Sequence, residues 1–93
     1  MLKIIGNDVM RGGEKIGYIQ GNDIHNRSGH KVGYFMDNHV YNETGHKVAR
    51  LEGDHIKDAQ GNITTSVSEN HTHVSGGTLS DLSRAAVRVL LGD

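Results

Sequence analysis

Histidine is the residue type with the most reactive chemistry in this 93-residue chain. The sequence contains seven histidines and no cysteine. Neutral imidazole is a common metal ligand and a proton carrier near pH 7, whereas the lack of cysteine excludes disulfides, thiolate metal sites and cysteine nucleophiles. We predict no cofactor. The alternative is a divalent Zn or Ni ion bound by the histidines.

Two of the histidines, His71 and His73, are separated by a single residue. Their surroundings are rich in Ser, Thr, His and Gly and have no helical periodicity, which predicts a loop or a final short strand. On an extended segment both imidazoles point to the same side, a spacing that suits two ligands of one metal ion. A third ligand has to come from elsewhere, and the alternative is a surface loop without metal.

A second polar set occupies one position of an internal repeat. Asp8, Asp23, His39 and His55 each stand one residue before a Val or Ile. If this side of the strands faces a central axis, two carboxylates and two imidazoles surround it and could hold a divalent cation. The alternative is an outward position that faces water.

Other functional classes leave little trace in the sequence. It has no Gly-x-Ser-x-Gly elbow and no Walker phosphate loop, so enzyme activity stays uncertain and the prediction leans against it. Ten Lys plus Arg and eleven Asp plus Glu are interspersed and give a net charge of −1, so no nucleic-acid partner is predicted. Without a signal-type segment or a run of roughly 20 apolar residues, we predict no membrane partner and, by default, a cytoplasmic protein.

An internal repeat supplies the elements that position these residues. Residues 21–34 match residues 37–50 at a spacing of 16, and partial copies cover 6–18 and 53–62. Three copies contain a turn with Asn or Asp first and Gly fourth, the pattern of a type I turn followed by a G1 bulge in a hairpin. Each repeat is therefore predicted to be a β-hairpin, and the three turns are 26–29, 42–45 and 58–61.

The two arms of each hairpin have different patterns. The first arm alternates around one apolar residue, as a half-exposed strand does. The second arm always has a small residue at its second position (Gly17, Gly33 or Ala49), which predicts that another backbone or side chain approaches closely there. The second arms are therefore expected to meet in a shared interior.

The predicted fold is mainly β, with four antiparallel hairpins of about 16 residues and one C-terminal amphipathic helix. Residues 1–5 are expected to pair beside the fourth hairpin and close the ring, which removes exposed strand edges. An open twisted sheet and an elongated stack of hairpins are the alternatives. The predicted division is a repeat domain at 1–66 (units near 6–20, 21–36, 37–52 and 53–66), a polar loop at 67–77 and the helix at 78–93.

The C-terminal helix is predicted from Thr78, which opens a variant capping box with Asp81, to a stop at Gly92. One face of this helix is apolar and is expected to cover the hairpins. The same face could also contact a second copy of the chain, because a small domain with a thin core gains from assembly. The interaction residues proposed on this face are Leu79, Leu82, Ala86, Val89 and Leu90.

The repeating unit of Gly-Asn/Asp-x-Ile/Val, a polar turn with Gly, and Lys-Val-Gly-Tyr resembles the 4-fold beta flower proteins. These are small bacterial domains, and the resemblance covers residues 1–66. It implies four hairpins around a pseudo-fourfold axis but brings no catalytic or binding residue. The predicted function is a non-enzymatic structural or protein-interaction module whose partner is another protein or a second copy. The alternative is a divalent-metal-binding protein that uses His71 and His73, or the ring that includes His39 and His55.

Overall fold

The computed structural model describes residues 2–77 and 80–92, in which ten strands form one sheet and two short helices follow the repeats. This confirms the mainly β class with a C-terminal helix. The elements are β1 (Leu2–Ile5), β2 (Asp8–Arg11), β3 (Glu14–Gln20), β4 (Asp23–Asn26), β5 (Lys31–Met36), β6 (His39–Asn42), β7 (Lys47–Glu52), β8 (His55–Asp58), β9 (Ile63–Ser66), α1 (Val67–His73), β10 (Val74–Ser75) and α2 (Asp81–Leu91).

Sheet order follows chain order from β1 to β9, because each of β1 to β8 pairs antiparallel with the next strand, and β10 adds in parallel beside β1. The turns inside the repeats have the predicted chemistry. Asn26 Oδ1 accepts hydrogen bonds from the backbone N–H groups of Ser28 (2.9 Å) and His30 (3.1 Å), and Gly29 has φ of 85°. A carboxamide or carboxylate thus caps the turn, and glycine supplies the left-handed residue. The equivalent caps are Asn42 and Asp58.

A β-bulge recurs once in every repeat. On the second arm one residue has no directly opposed partner, and it precedes the small position noted in the sequence. A bulge bends a strand and increases its twist, so four equally spaced bulges curve the sheet in the same sense. The bulged residues are Ile16, Val32, Val48 and Thr64.

The core lies between the concave side of the sheet and helix α2. Each first arm contributes one apolar side chain that is at most 2% exposed, namely Val9, Ile24, Val40 and Ile56. The small positions of the second arms meet α2. A Cβ added at Gly17 would lie 2.9 Å from Leu91 Cδ1, and one added at Gly33 would lie 2.6 Å from Leu90 Cδ1. The predicted close approach is confirmed, and its cause is the helix together with the carbonyls of the neighbouring strand.

Residues 1–5 do not pair as predicted. β1 lies between β2 and β10, and in the described chain the sheet ends at β9 on the opposite side. β9 contains only one apolar residue, Ile63, and the chain leaves the sheet after Ser66 to form α1. Helix α1 and strand β10 therefore connect the fourth hairpin to β1, and the described sheet is the open alternative rather than a closed ring.

The polar loop predicted at 67–77 is also wrong, because residues 67–73 form α1. The Ser66 side chain caps this helix by accepting a hydrogen bond from Glu69 N at 3.1 Å, and the Ser66 hydroxyl donates to Glu69 Oε1. Ser66 and Glu69 have the spacing of a capping box and make one of its two hydrogen bonds, the one from the Glu69 N–H to the Ser66 side chain. Helix α2 begins at Asp81 with Ser80 as its N-cap, while Thr78 lies outside the described residues. Neither α1 nor α2, the helices of the described chain, is long and apolar enough to cross a membrane.

Candidate functional site

The structure separates the predicted metal ligands His71 and His73. Both lie on α1, where residues two positions apart do not share a face. His71 is exposed and His73 is partly buried. The expectation that both imidazoles point to the same side was based on an extended segment, and it is wrong because the segment is helical.

Asp8, Asp23, His39 and His55 do not form a ring around an axis. Strand alternation places them opposite the buried core residues that follow them, on the side of the sheet that faces away from α2. His39 Nδ1 lies 2.8 Å from the carbonyl oxygen of Asp37. Across residues 2–77 and 80–92, no group of three or more His, Asp or Glu side chains is placed to hold a metal ion. These four residues therefore occupy the outward side of the sheet, which was the alternative to the ring.

Helix α2 is rotated relative to the predicted apolar face. Ala86 is fully buried, and Leu82 and Leu90 are partly buried against the core as expected. Val89, in contrast, is 43% exposed. Leu79 lies outside the described residues. Three residues of the proposed interaction face, Leu82, Ala86 and Leu90, therefore pack within the chain itself.

Arg84 is a charged residue of α2, yet it is 3% exposed. Its guanidinium donates to the carbonyl oxygens of Val74 (2.6 Å) and Gly77 (3.3 Å). Arg84 Nε has no hydrogen-bond partner in the described part of the chain. This arginine links α2 to the segment that follows α1, a role that the helical pattern gave no reason to expect.

A polar and aromatic surface covers the convex side of the sheet, and we call it the outer face. Tyr18 stacks on His25 with ring centroids 4.7 Å apart and an interplanar angle of 5°, and Tyr34 stacks on Tyr41 at 4.7 Å and 12°. Both are directly opposed cross-strand pairs. We define the outer face by twelve residues: Asp8, Lys15, Tyr18, Asp23, His25, Lys31, Tyr34, Tyr41, Lys47, Arg50, Glu52 and Lys57.

A lysine completes each aromatic pair of the outer face. Lys15 Nζ lies 5.1 Å from the centroid of the Tyr18 ring, and Lys31 Nζ lies 4.8 Å from that of Tyr34. Each ammonium also forms a 3.1 Å ion pair within its own repeat, Lys15 with Asp8 and Lys31 with Asp23. Cation–π contacts of this kind stabilise exposed sites by about 0.5–1 kcal/mol, so these side chains are held in place before any partner binds.

The third repeat replaces the aromatic pair with charges. Arg50 and Lys57 occupy the paired positions, and both donate to Glu52, at 3.0 Å and 2.9 Å. The hydrogen bond from Lys57, followed by that from Arg50, holds the pKa of the Glu52 carboxyl below its ordinary value of 4.5. The outer face thus changes from aromatic to cationic along the chain.

A second feature is a cleft of about 300 Å³ between α2 and the last two hairpins, which we call the α2 cleft. Arg88 reaches it from the helix, and its Nη1 lies 3.4 Å from Oδ1 of the buried Asn70. No local sequence pattern predicts this cleft, because it depends on the position of α1. Its lining residues are Val48, Ala49, Ile56, Asp58, Thr64, Thr65, Asn70, Ala85, Arg88 and Val89.

Comparison with known proteins identifies the fold. A family model described as 4-fold beta flower protein matches residues 10–84. The match continues beyond the hairpins, through α1 and into α2, so the tail belongs to the same family unit. Searches of the curated proteins and of the solved structures gave no significant match.

Proposed function

The chain belongs to the 4-fold beta flower family, and we propose that it acts as a non-enzymatic protein-interaction module whose outer face binds an acidic surface of another protein. This proposal rests on one observation: adjacent hairpins each carry a stacked pair of rings with a lysine over one of them. The opposite face of the sheet is occupied by the core and α2, which leaves the outer face as the repeated surface that a partner could reach.

Order within the outer face favours binding. Tyr34 stacks on Tyr41 and lies beneath Lys31, so these side chains have few alternative conformations to lose when a partner docks. Immobilising a flexible side chain at an interface costs about 0.5–1.5 kcal/mol, and tyrosine and arginine are the residue types that interfaces concentrate. The aromatic pairs are therefore suited to serve as anchors.

Charge supports an acidic partner. Among its twelve residues the outer face has five Lys or Arg and three Asp or Glu, a net charge of +2 with His neutral, although the whole chain has −1. The excess is concentrated in the third repeat and the start of the fourth, where Lys47, Arg50 and Lys57 outnumber one carboxylate, Glu52. Complementary charge speeds association and selects partners.

The test compares the outer face with a matched exposed site. Wild type, the double variant Tyr34→Ala/Tyr41→Ala and the control Val89→Ala are used as baits in a bacterial lysate, and the proteins bound by wild type are then purified. Val89 is a suitable control because it is exposed and lies on α2, on the opposite side of the sheet. Calorimetric titration of each purified partner at low and high salt measures the affinity.

We expect the double variant to lower the affinity at least about tenfold, as removal of an interface anchor does, and the control to leave it unchanged. Added salt should weaken binding, because exposed charges are screened. Equal affinity for all three baits, or affinity that does not change with salt, would contradict the proposal.

Self-association and metal binding are tested separately. Light scattering of wild type and Val89→Ser measures whether the exposed part of α2 joins two copies; a monomer in both forms would remove that prediction. We include no metal in the proposed function. Elemental analysis and a thermal shift on adding Zn or Ni test the histidine alternative. The cytoplasm remains the expected location.

A further inference from the structure

We propose that the α2 cleft binds a small monocarboxylate with an apolar body. The proposal is independent of the outer face, since the cleft lies on the opposite side of the sheet. It rests on three observations: an unfilled space at two of the four repeat positions, apolar walls, and a guanidinium that has no carboxylate partner among residues 2–77 and 80–92.

The cleft exists because α2 fills only half of the repeat positions. At the small positions of the first two second arms, leucines of α2 pack directly over Gly17 and Gly33. The corresponding residues of the last two arms are Ala49 and Thr65, and both line the cleft. The space beside these two positions is a cleft of about 300 Å³ that is partly open to solvent.

The walls of the cleft suit a hydrocarbon group. Val48, Ala49 and Ile56 come from the sheet, while Ala85 and Val89 come from the helix. The volume is at the lower end of the range of small-molecule sites, which are mostly apolar with a few polar groups that set orientation. A chain of about six carbons or a single ring has the corresponding size.

Arg88 supplies the polar recognition. Its one hydrogen bond within the described residues is the 3.4 Å contact with Asn70, and it forms no ion pair with any described carboxylate. A guanidinium presents five N–H donors in a planar fork that matches a carboxylate with two parallel hydrogen bonds. The amide of Asn70, which is 2% exposed, supplies a further polar group beside it.

Asp58 limits the charge of the ligand. It lines the same cleft, and its Oδ1 accepts hydrogen bonds from the backbone N–H groups of Gln60 (3.0 Å) and Asn62 (2.9 Å). These bonds fix the carboxylate in the turn, so it cannot move away from a second anionic group. A ligand with one carboxylate satisfies Arg88, whereas a dicarboxylate places like charges near Asp58.

The experiment titrates hexanoate into uniformly ¹⁵N-labelled protein and follows amide chemical shifts, with 1-hexanol and adipate as comparison ligands. We expect saturable shifts at Ala49, Thr65 and Ala85 for hexanoate, and affinity at least about tenfold lower for the two comparison ligands, because each lacks one matched feature. No saturable shift with hexanoate, or equal binding of hexanol, would overturn the proposal.

Two variants and a control locate the site. Arg88→Gln removes the charge and should lower hexanoate affinity at least about tenfold. Val89→Phe adds bulk at a partly exposed position and should block the cleft while the dispersed amide spectrum shows an intact fold. Arg27→Gln, which removes an exposed arginine paired with Glu14, should change nothing. Unaltered binding by Val89→Phe, or equal losses for Arg88→Gln and Arg27→Gln, would contradict the assignment.

Discussion

The first two hairpin repeats are completed on both faces of the sheet, and the last two are not. On the inner side, Leu91 and Leu90 pack over Gly17 and Gly33, whereas Ala49 of the third repeat lines a cleft. On the outer side, the first two repeats carry stacked rings under a lysine, and the third carries an arginine and a lysine that share one glutamate.

Backbone geometry is shared by both halves. The bulge recurs at the same place in all four repeats, from Ile16 to Thr64, and every first arm buries one Val or Ile. The conformation of the scaffold therefore depends on the turns, the bulges and one core residue per hairpin. The remaining positions are free to differ, and these differences produce a distinct surface on each half.

The largest expected effect concerns the first two repeats, where leucines of α2 pack over the small positions. Gly33→Ala places a methyl group against the Tyr41 carbonyl oxygen and 2.6 Å from Leu90 Cδ1. The leucine can shift, but the carbonyl belongs to the neighbouring strand and cannot. Overpacking of this kind costs about 2–3 kcal/mol of unfolding free energy, which urea denaturation measures.

The matched substitution is Ala49→Gly, at the equivalent position of the third repeat, which lines the α2 cleft. It removes a buried methyl group and adds a flexible residue to a strand, and we expect a loss of about 1 kcal/mol. If Gly33→Ala is no more destabilising than Ala49→Gly, the two halves do not differ in packing as described.

These two positions also show what the sequence could predict. A small residue at the same place in three repeats indicates a close approach, and the turns with Asn or Asp first and Gly fourth indicate hairpins, because each depends on local sterics and on a spacing of 16. The core residues follow from the same spacing. Local chemistry repeated at a fixed interval is thus sufficient for the hairpins.

The tail was not predictable to the same extent. Ser66 and Glu69 have the spacing of a capping box, yet α1 has no apolar periodicity, so its polar composition indicated a loop. The rotation of α2, which buries Arg84 and exposes Val89, brings Arg84 to the carbonyl groups of Val74 and Gly77, and the helical periodicity of α2 does not encode that contact. The α2 cleft requires both helices to be placed, and no local pattern encodes that placement.

A smaller effect distinguishes the outer surfaces of the two halves. A double-mutant cycle on Tyr34 and Tyr41, with alanine at each, should give a favourable coupling free energy of about 1 kcal/mol from the stacked rings. The same cycle on Arg50 and Lys57 should give a coupling near zero or unfavourable, because like charges face each other across the strands. Equal couplings would show that the aromatic pair adds no specific stability.

The smallest effect concerns Glu52, the carboxylate shared by Arg50 and Lys57. Its pKa is lower in the folded state than its ordinary value of 4.5, so it stabilises the fold above that value, and the stabilisation is lost as pH falls through the folded-state pKa. Glu52→Gln should therefore have a lower melting temperature than wild type at neutral pH, with a difference that shrinks below about pH 4.5.

The control is Glu43→Gln, which alters an exposed turn carboxylate that forms no ion pair within the described residues. Melting curves at neutral and acid pH, with and without salt, measure the difference for each variant. Salt should reduce the Glu52 difference, because both partners are exposed and screening weakens such pairs. A difference that is constant with pH, or equal for Glu43→Gln, would show that the ion pairs of Glu52 with Arg50 and Lys57 do not stabilise the fold.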